Sequence, residues 1–182
     1  MTRPPRVALV PGVLALLPEY AGLEDPVAEL RAACLGAVAW LGPDVRVVAD
    51  DQGARVAAYL LGYRSNSAIA RDGQGGGAGD RSNSAIAPSE RGVLVVGNGS
   101  AKRSEKAPGH LDQRARLFDD VLGAALRGGD LADLDLSLAG DLWAAVDGME
   151  HLRKLLHGEA ATVDYDDDPF GVQYWVMRWE LA

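Results

Sequence analysis

The stretch VQYWVMRWEL (172–181) constrains the fold more than any other. Read as a strand, it places Tyr174 and Val176 on one face and Trp175, Met177 and Trp179 on the other. Large apolar side chains on both faces need cover on both sides, so this strand belongs inside a sheet that carries helices on each face. RVALV (6–10), VRVVA (45–49) and GVLVV (92–96) read as companion strands, and ATVDY (161–165) as the first arm of a hairpin or one of two late strands that turn through 166–171. Between them the apolar spacing becomes helical. Asp25 and Pro26 open a helix with Val27, Leu30, Cys34, Ala37, Val38 and Leu41 in phase, and a second follows with Val56, Tyr59 and Leu60. Leu111, Ala115, Phe118, Leu122 and Ala125 mark a third, stopped at Gly128 and Gly129. Asp130 with Asp133 signals another start, and Leu142, Val146, Met149, Leu152 and Leu156 predict a helix running to Gly158. The expectation is an α/β fold, a mixed sheet flanked by helices.

A chain of 182 residues that is 48% hydrophobic can bury one sizeable core, so residues 1–182 are read as a single domain. Eighteen Lys and Arg against 26 Asp and Glu give a net charge of -8, which works against a surface built to neutralise nucleic-acid phosphates. Cys34 is the only cysteine, so no disulfide framework or thiolate zinc cluster is expected, and a reducing cytoplasm fits. Arg3 and Arg6 before VALVPGVLALL imitate a secretory leader, but Pro11 and Gly12 interrupt the run, and a core strand at Arg6 to Val10 is the preferred reading. No segment has the length of a membrane span.

The pattern breaks once. RSNSAIA occurs at 64–70 and again at 81–87, around a Gly-rich stretch, and residues 63–91 are read as a flexible, repeat-containing insert. Gly73, Gly75 and Ala78 fit a loose dinucleotide fingerprint but lack the strand before and the apolar helix after that phosphate binding requires.

The loop after GVLVV draws the chemical question. A Walker loop from Gly97 would need glycine where Lys102 stands, and a dinucleotide fingerprint fails there too. Ser100 has Asn98 and Lys102 where a hydrolase elbow needs glycines. Lys102, Arg103 and Lys106 read as a solvated basic loop, with attraction of an anion at the next helix as the alternative. In DYDDD (164–168), Pro169 and Trp175 take the glycine and glutamate positions of a calcium loop, which excludes an EF-hand. His151 and His157 are six apart on a helix and do not share a face; His110 is the only histidine near the loop.

Three segments, VPGVLALLPEYAG (10–22), VVGNGSAKRSEKAPGHLDQRARLFDDVLGAAL (95–126) and YDDDPFGVQYWVMRW (165–179), resemble in order the actinobacterial branch of the class III extradiol ring-cleavage dioxygenase family, the LigB-like superfamily. The resemblance implies an α/β fold with a mononuclear non-heme Fe(II) site that opens catechol rings. It also implies a first iron-binding histidine in the loop after the first strand, where this chain has Pro11, Gly12 and Val13, and a second after the second strand, where no histidine occurs before residue 110. A site short of its ligands loses its metal. The chain is therefore expected to be a catalytically degenerate, dioxygenase-like protein that binds a small molecule or acts as an accessory subunit, with no cofactor unless Fe(II) chemistry is retained. The expected pocket combines Gly12, Asn98, Ser100, Lys102, Arg103, His110 and Asp167. Two alternatives stay open: an active enzyme with an altered metal site using His110 with Glu19, Asp50 or Asp51, and an interaction protein using the Trp-rich C-terminal strand. Expected partners are a small-molecule ligand and, as an open option, further copies of the chain, but neither nucleic acid nor membrane.

Overall fold

A computed structural model describes residues 5–20, 25–69 and 92–182. Five strands form one mixed sheet: β1 (Arg6–Val10), β2 (Val45–Val48), β3 (Gly92–Val96), β4 (Thr162–Asp167) and β5 (Tyr174–Glu180), in the order β2-β3-β1-β5-β4. β1, β2 and β3 are parallel, while β5 runs antiparallel to β1 and β4 antiparallel to β5. Among the described residues four α-helices accompany them: α1 (Ala28–Leu41), α2 (Asp51–Ile69), α3 (Arg114–Gly128) and α4 (Met149–Leu155).

The alternation read in the last strand sorts the whole core. Tyr174 and Val176 join Ala8, Val10, Leu94 and Val96 beneath α1 and α2, and Trp175, Met177 and Trp179 join Val7, Leu9 and Val95 beneath α3 and α4. β1 sits at the centre, with Val7, Ala8, Leu9 and Val10 all fully buried. Trp175 and Trp179 are 2% and 1% exposed, so the C-terminal strand is interior and has no tryptophan face to offer a partner.

Arg6 closes the amino end of β1. Its guanidinium donates to Glu180 and to the carbonyl of Trp40 and stacks on the Trp40 ring at 4.5 Å; Arg178 stacks on the same ring at 5.1 Å. The outer strands are guarded differently. β2 is short, and β4 turns Asp164, Asp166 and Asp167 to solvent.

Two expectations change. The segment from Asp130 to Gly148 forms a series of turns, and only Met149–Leu155 is helical. Leu142, Met149, Leu152 and Leu156 still enter the core and Val146 packs against it, so the expected apolar positions hold while the helix expected to connect them does not. The expected insert at 63–91 begins inside α2, whose backbone is helical to Ile69; residues 70–91, with the second RSNSAIA copy and the glycine run, lie outside the described residues. Among the described residues, no helix is long and apolar enough to cross a membrane.

Trp179 fills the space against α3 and donates its indole N–H to the carbonyl of Leu126 at 3.2 Å. Trp179→Ala is expected to lower unfolding stability by about 3 to 5 kcal/mol in urea denaturation, through the cavity and the unpaired carbonyl.

Candidate functional site

At the carboxyl end of the parallel strands, the loop after β3 and the turn before β5 are stitched together by backbone. Gly99 N–H donates to Gln173 O (2.9 Å), Gln173 N–H to Ser100 O (3.0 Å) and Arg103 N–H to Gly171 O (3.0 Å). The strand ends themselves are covered by residues 145–149. Asn98 and Ala145 exchange two backbone hydrogen bonds, and a Cβ on Gly97 would lie 2.6 Å from Ala145 O, so only glycine allows this approach.

The α3 side of this end holds a buried carboxylate. Asp119 is 2% exposed and accepts from Ser100 N–H (2.8 Å), Ser100 Oγ–H (2.6 Å) and Arg103 Nη1 (3.1 Å). Arg103 also donates from Nε to Asp168 at 2.6 Å. Burial pushes the Asp119 carboxyl up, against the lowering by Ser100 and Arg103. Burial opposes the charge on Arg103, but its bonds with Asp168 and Asp119 outweigh that and raise its pKa.

Beside this network, between α3 and the β4–β5 hairpin, lies a cleft of about 260 Å³. Its wall carries the carboxylates of Asp119, Asp120, Asp166, Asp167 and Asp168 and the guanidiniums of Arg103 and Arg127. Arg127 is paired with Asp166, which also accepts from Gln173 Nε2 at 2.8 Å. Both guanidiniums are thus committed to carboxylates, and acid remains in excess. Such a wall attracts positive charge and hydrogen-bond donors.

Of the residues expected from sequence, the cleft brings together Arg103 and Asp167. Ser100 is fully buried and acts on Asp119 instead of on solvent. Lys102 turns elsewhere, with Nζ 5.4 Å over the ring of Trp143. Asn98 serves the bridge to Ala145, and His110 is exposed with φ 58°. Arg103 is not the solvated residue of a basic loop, because its side chain is only 11% exposed and is tied to two carboxylates. Asp119, Asp120 and Arg127 were not anticipated. A signal existed for Asp119, since it lies on the same arc of α3 as Ala115, Phe118 and Leu122, where a carboxylate needs buried donors.

The residues at the Gly12 turn do not fit the iron site that the sequence resemblance implies. A Cβ on Gly12 would lie 3.2 Å from Val96 Cγ1 and 3.5 Å from Gly53 Cα, and the Gly12 carbonyl accepts from Gln52 Nε2 at 2.7 Å. Glu19 pairs with Arg55 at 3.1 Å and Asp50 caps α2 through Gly53 N–H at 2.6 Å, so both serve local structure. Among the described residues, no group of three His, Cys, Asp or Glu side chains is placed to hold a metal ion.

The fold and cleft thus define the chain as an α/β protein with a five-stranded mixed sheet flanked by helices. No protein-family model and no curated protein matches it.

Removing Arg103 leaves Asp119 buried with one cation fewer. A carboxyl whose pKa is raised on folding favours folding below its unfolded value, about 3.9, and that contribution is lost as pH rises through the folded value. Arg103→Met raises the folded value further, so its loss of stability, about 3 to 5 kcal/mol at pH 7, is expected to shrink on acidification. Denaturant melts at pH 7 and pH 4 check this; an equal loss at both would show that Arg103 acts by packing alone.

Proposed function

We propose that this chain keeps an extradiol-dioxygenase-like frame without the ring-cleaving site and binds a small, positively charged molecule in the cleft between α3 and the β4–β5 hairpin. The observation that carries this reading is the acid excess around two guanidiniums that are already neutralised. Supporting the loss of ring cleavage, the Gly12 turn offers a carbonyl and a close approach to Val96 where the family resemblance calls for an imidazole.

The chemistry of the wall sets the preference. Asp119 and Arg103 form a fixed floor, because each is held by more than one partner and neither can turn away. Asp120 and Asp167 complete the lining and supply carboxylates on α3 and the hairpin respectively. An ammonium or guanidinium group entering between them meets negative charge from both sides, whereas a carboxylate meets repulsion.

Two measurements test the reading. In calorimetric titrations, small amines and guanidines are expected to bind more tightly than carboxylates of equal size. Asp167→Asn is expected to weaken that binding about fivefold, the worth of one partly exposed charge pair; a preference for anions would refute the charge argument. Anaerobic Fe(II) followed by desalting is expected to leave far less than one iron per chain and no catechol-dependent oxygen uptake. One-to-one iron with uptake, both lost in His110→Ala, would instead establish the altered metal site.

A further inference from the structure

Two arginines strap the α3 side of the polar cleft to the β4–β5 hairpin, and they are held to different degrees. Arg103 reaches the buried Asp119 as well as Asp168, and its side chain is 11% exposed. Arg127, in the last turn of α3, has Asp166 of β4 as its one carboxylate partner among the described residues. These two side chains are 44% and 36% exposed. The guanidinium of Arg127 lies over Gly123, where a Cβ would stand 3.0 Å from Nη1. An ion pair this open to water contributes little, so another cation can displace it at small cost.

The seat that Arg127 occupies is aligned from inside the protein. Gln173 is 5% exposed and lines the same cleft. Its Nε2 donates to Asp166 Oδ1 at 2.8 Å and to the carbonyl oxygen of Tyr174 at 3.2 Å. An ionised carboxylate and a carbonyl can only accept, so the amide has one orientation and both of its N–H donors are in use. Among the described residues no donor reaches Gln173 Oε1. A polar atom on so buried a side chain calls for a partner. The seat therefore sets a charged acceptor, Asp166 Oδ2, beside a neutral one, Gln173 Oε1. An ammonium is a compact charge, whereas a guanidinium carries a flat fork of N–H donors that suits several acceptors at once. The protein's own guanidinium already rests against Asp166.

We infer that Arg127 is a built-in stand-in for the ligand, and that the ligand is a guanidinium compound. The ligand displaces Arg127 from Asp166 and adds a hydrogen bond to Gln173 Oε1. This rests on the cation-binding reading of the cleft and adds to it the ligand's class and the side chain it competes with. Arg103 stays in place, because releasing it would strand the buried Asp119.

Calorimetric titrations of the full chain with methylguanidine and methylamine at low ionic strength test this. Methylguanidine is expected to bind more tightly than methylamine. Arg127→Met, at an exposed position, is expected to tighten methylguanidine binding further by about two- to fivefold, the worth of one exposed ion pair. Adding Asp166→Asn to Arg127→Met is expected to remove that gain, since asparagine keeps an acceptor for Gln173 but not the charge. Arg46→Met, on β2 at the opposite margin of the sheet, removes an equal charge and is expected to leave binding unchanged. Wild-type binding that Arg127→Met leaves unchanged or weakens would overturn the stand-in and spare the cation-binding reading. A gain that survives Asp166→Asn, or that Arg46→Met reproduces, would do the same by showing a general effect of charge. Equal binding of the two probes would overturn the guanidinium class. No binding of either probe by the wild type or by Arg127→Met would overturn both the inference and the reading beneath it.

Discussion

The organisation of the candidate site depends on one buried carboxylate. Asp119 is reached by the backbone and hydroxyl of Ser100 and by the guanidinium of Arg103, and Arg103 passes the connection to Asp168. Three elements that are distant in sequence, the loop after β3, helix α3 and the hairpin turn, are thereby fixed to one another. Without such donors a carboxylate at that depth would be expelled or protonated. With them it acts as the hub about which the cleft wall is arranged.

This arrangement relocates the open part of the strand-end region. In open α/β sheets, ligands commonly sit beyond the carboxyl ends of the parallel strands. Here residues 145–149 lie across that position, close enough to require Gly97, while the Gly12 turn packs on Val96 and Gly53. The accessible polar space lies between α3 and the hairpin, lined by residues from both. The antiparallel β4–β5 extension of the sheet is therefore what provides one wall of the site.

The sheet and its layers were legible because they follow from periodicity. The alternation of Tyr174 and Val176 with Trp175, Met177 and Trp179 placed each side chain in the correct half of the core. The turns between Asp130 and Gly148 were not legible, since Leu142 and Val146 recur in helical phase with Met149 although irregular backbone carries both of them to the core. The site was half legible. Arg103 and Asp167 were named, but Lys102, the neighbour of Arg103, projects to Trp143 instead, and sequence adjacency does not report which of two consecutive side chains faces inward. Asp119 was hidden among helix positions, and its role depends on donors 16 to 19 residues away.

The acidic outer strand has a consequence for how the sheet can grow. β4 faces solvent with its backbone edge and with Asp164, Asp166 and Asp167, two of which are held by Arg178 and Arg127 of the same molecule. A like strand laid alongside would align carboxylates of one molecule with those of the next. On the opposite margin β2 offers only four residues. Lateral polymerisation through backbone hydrogen bonding is thus opposed electrostatically on one margin and by length on the other, so the sheet ends where the molecule ends.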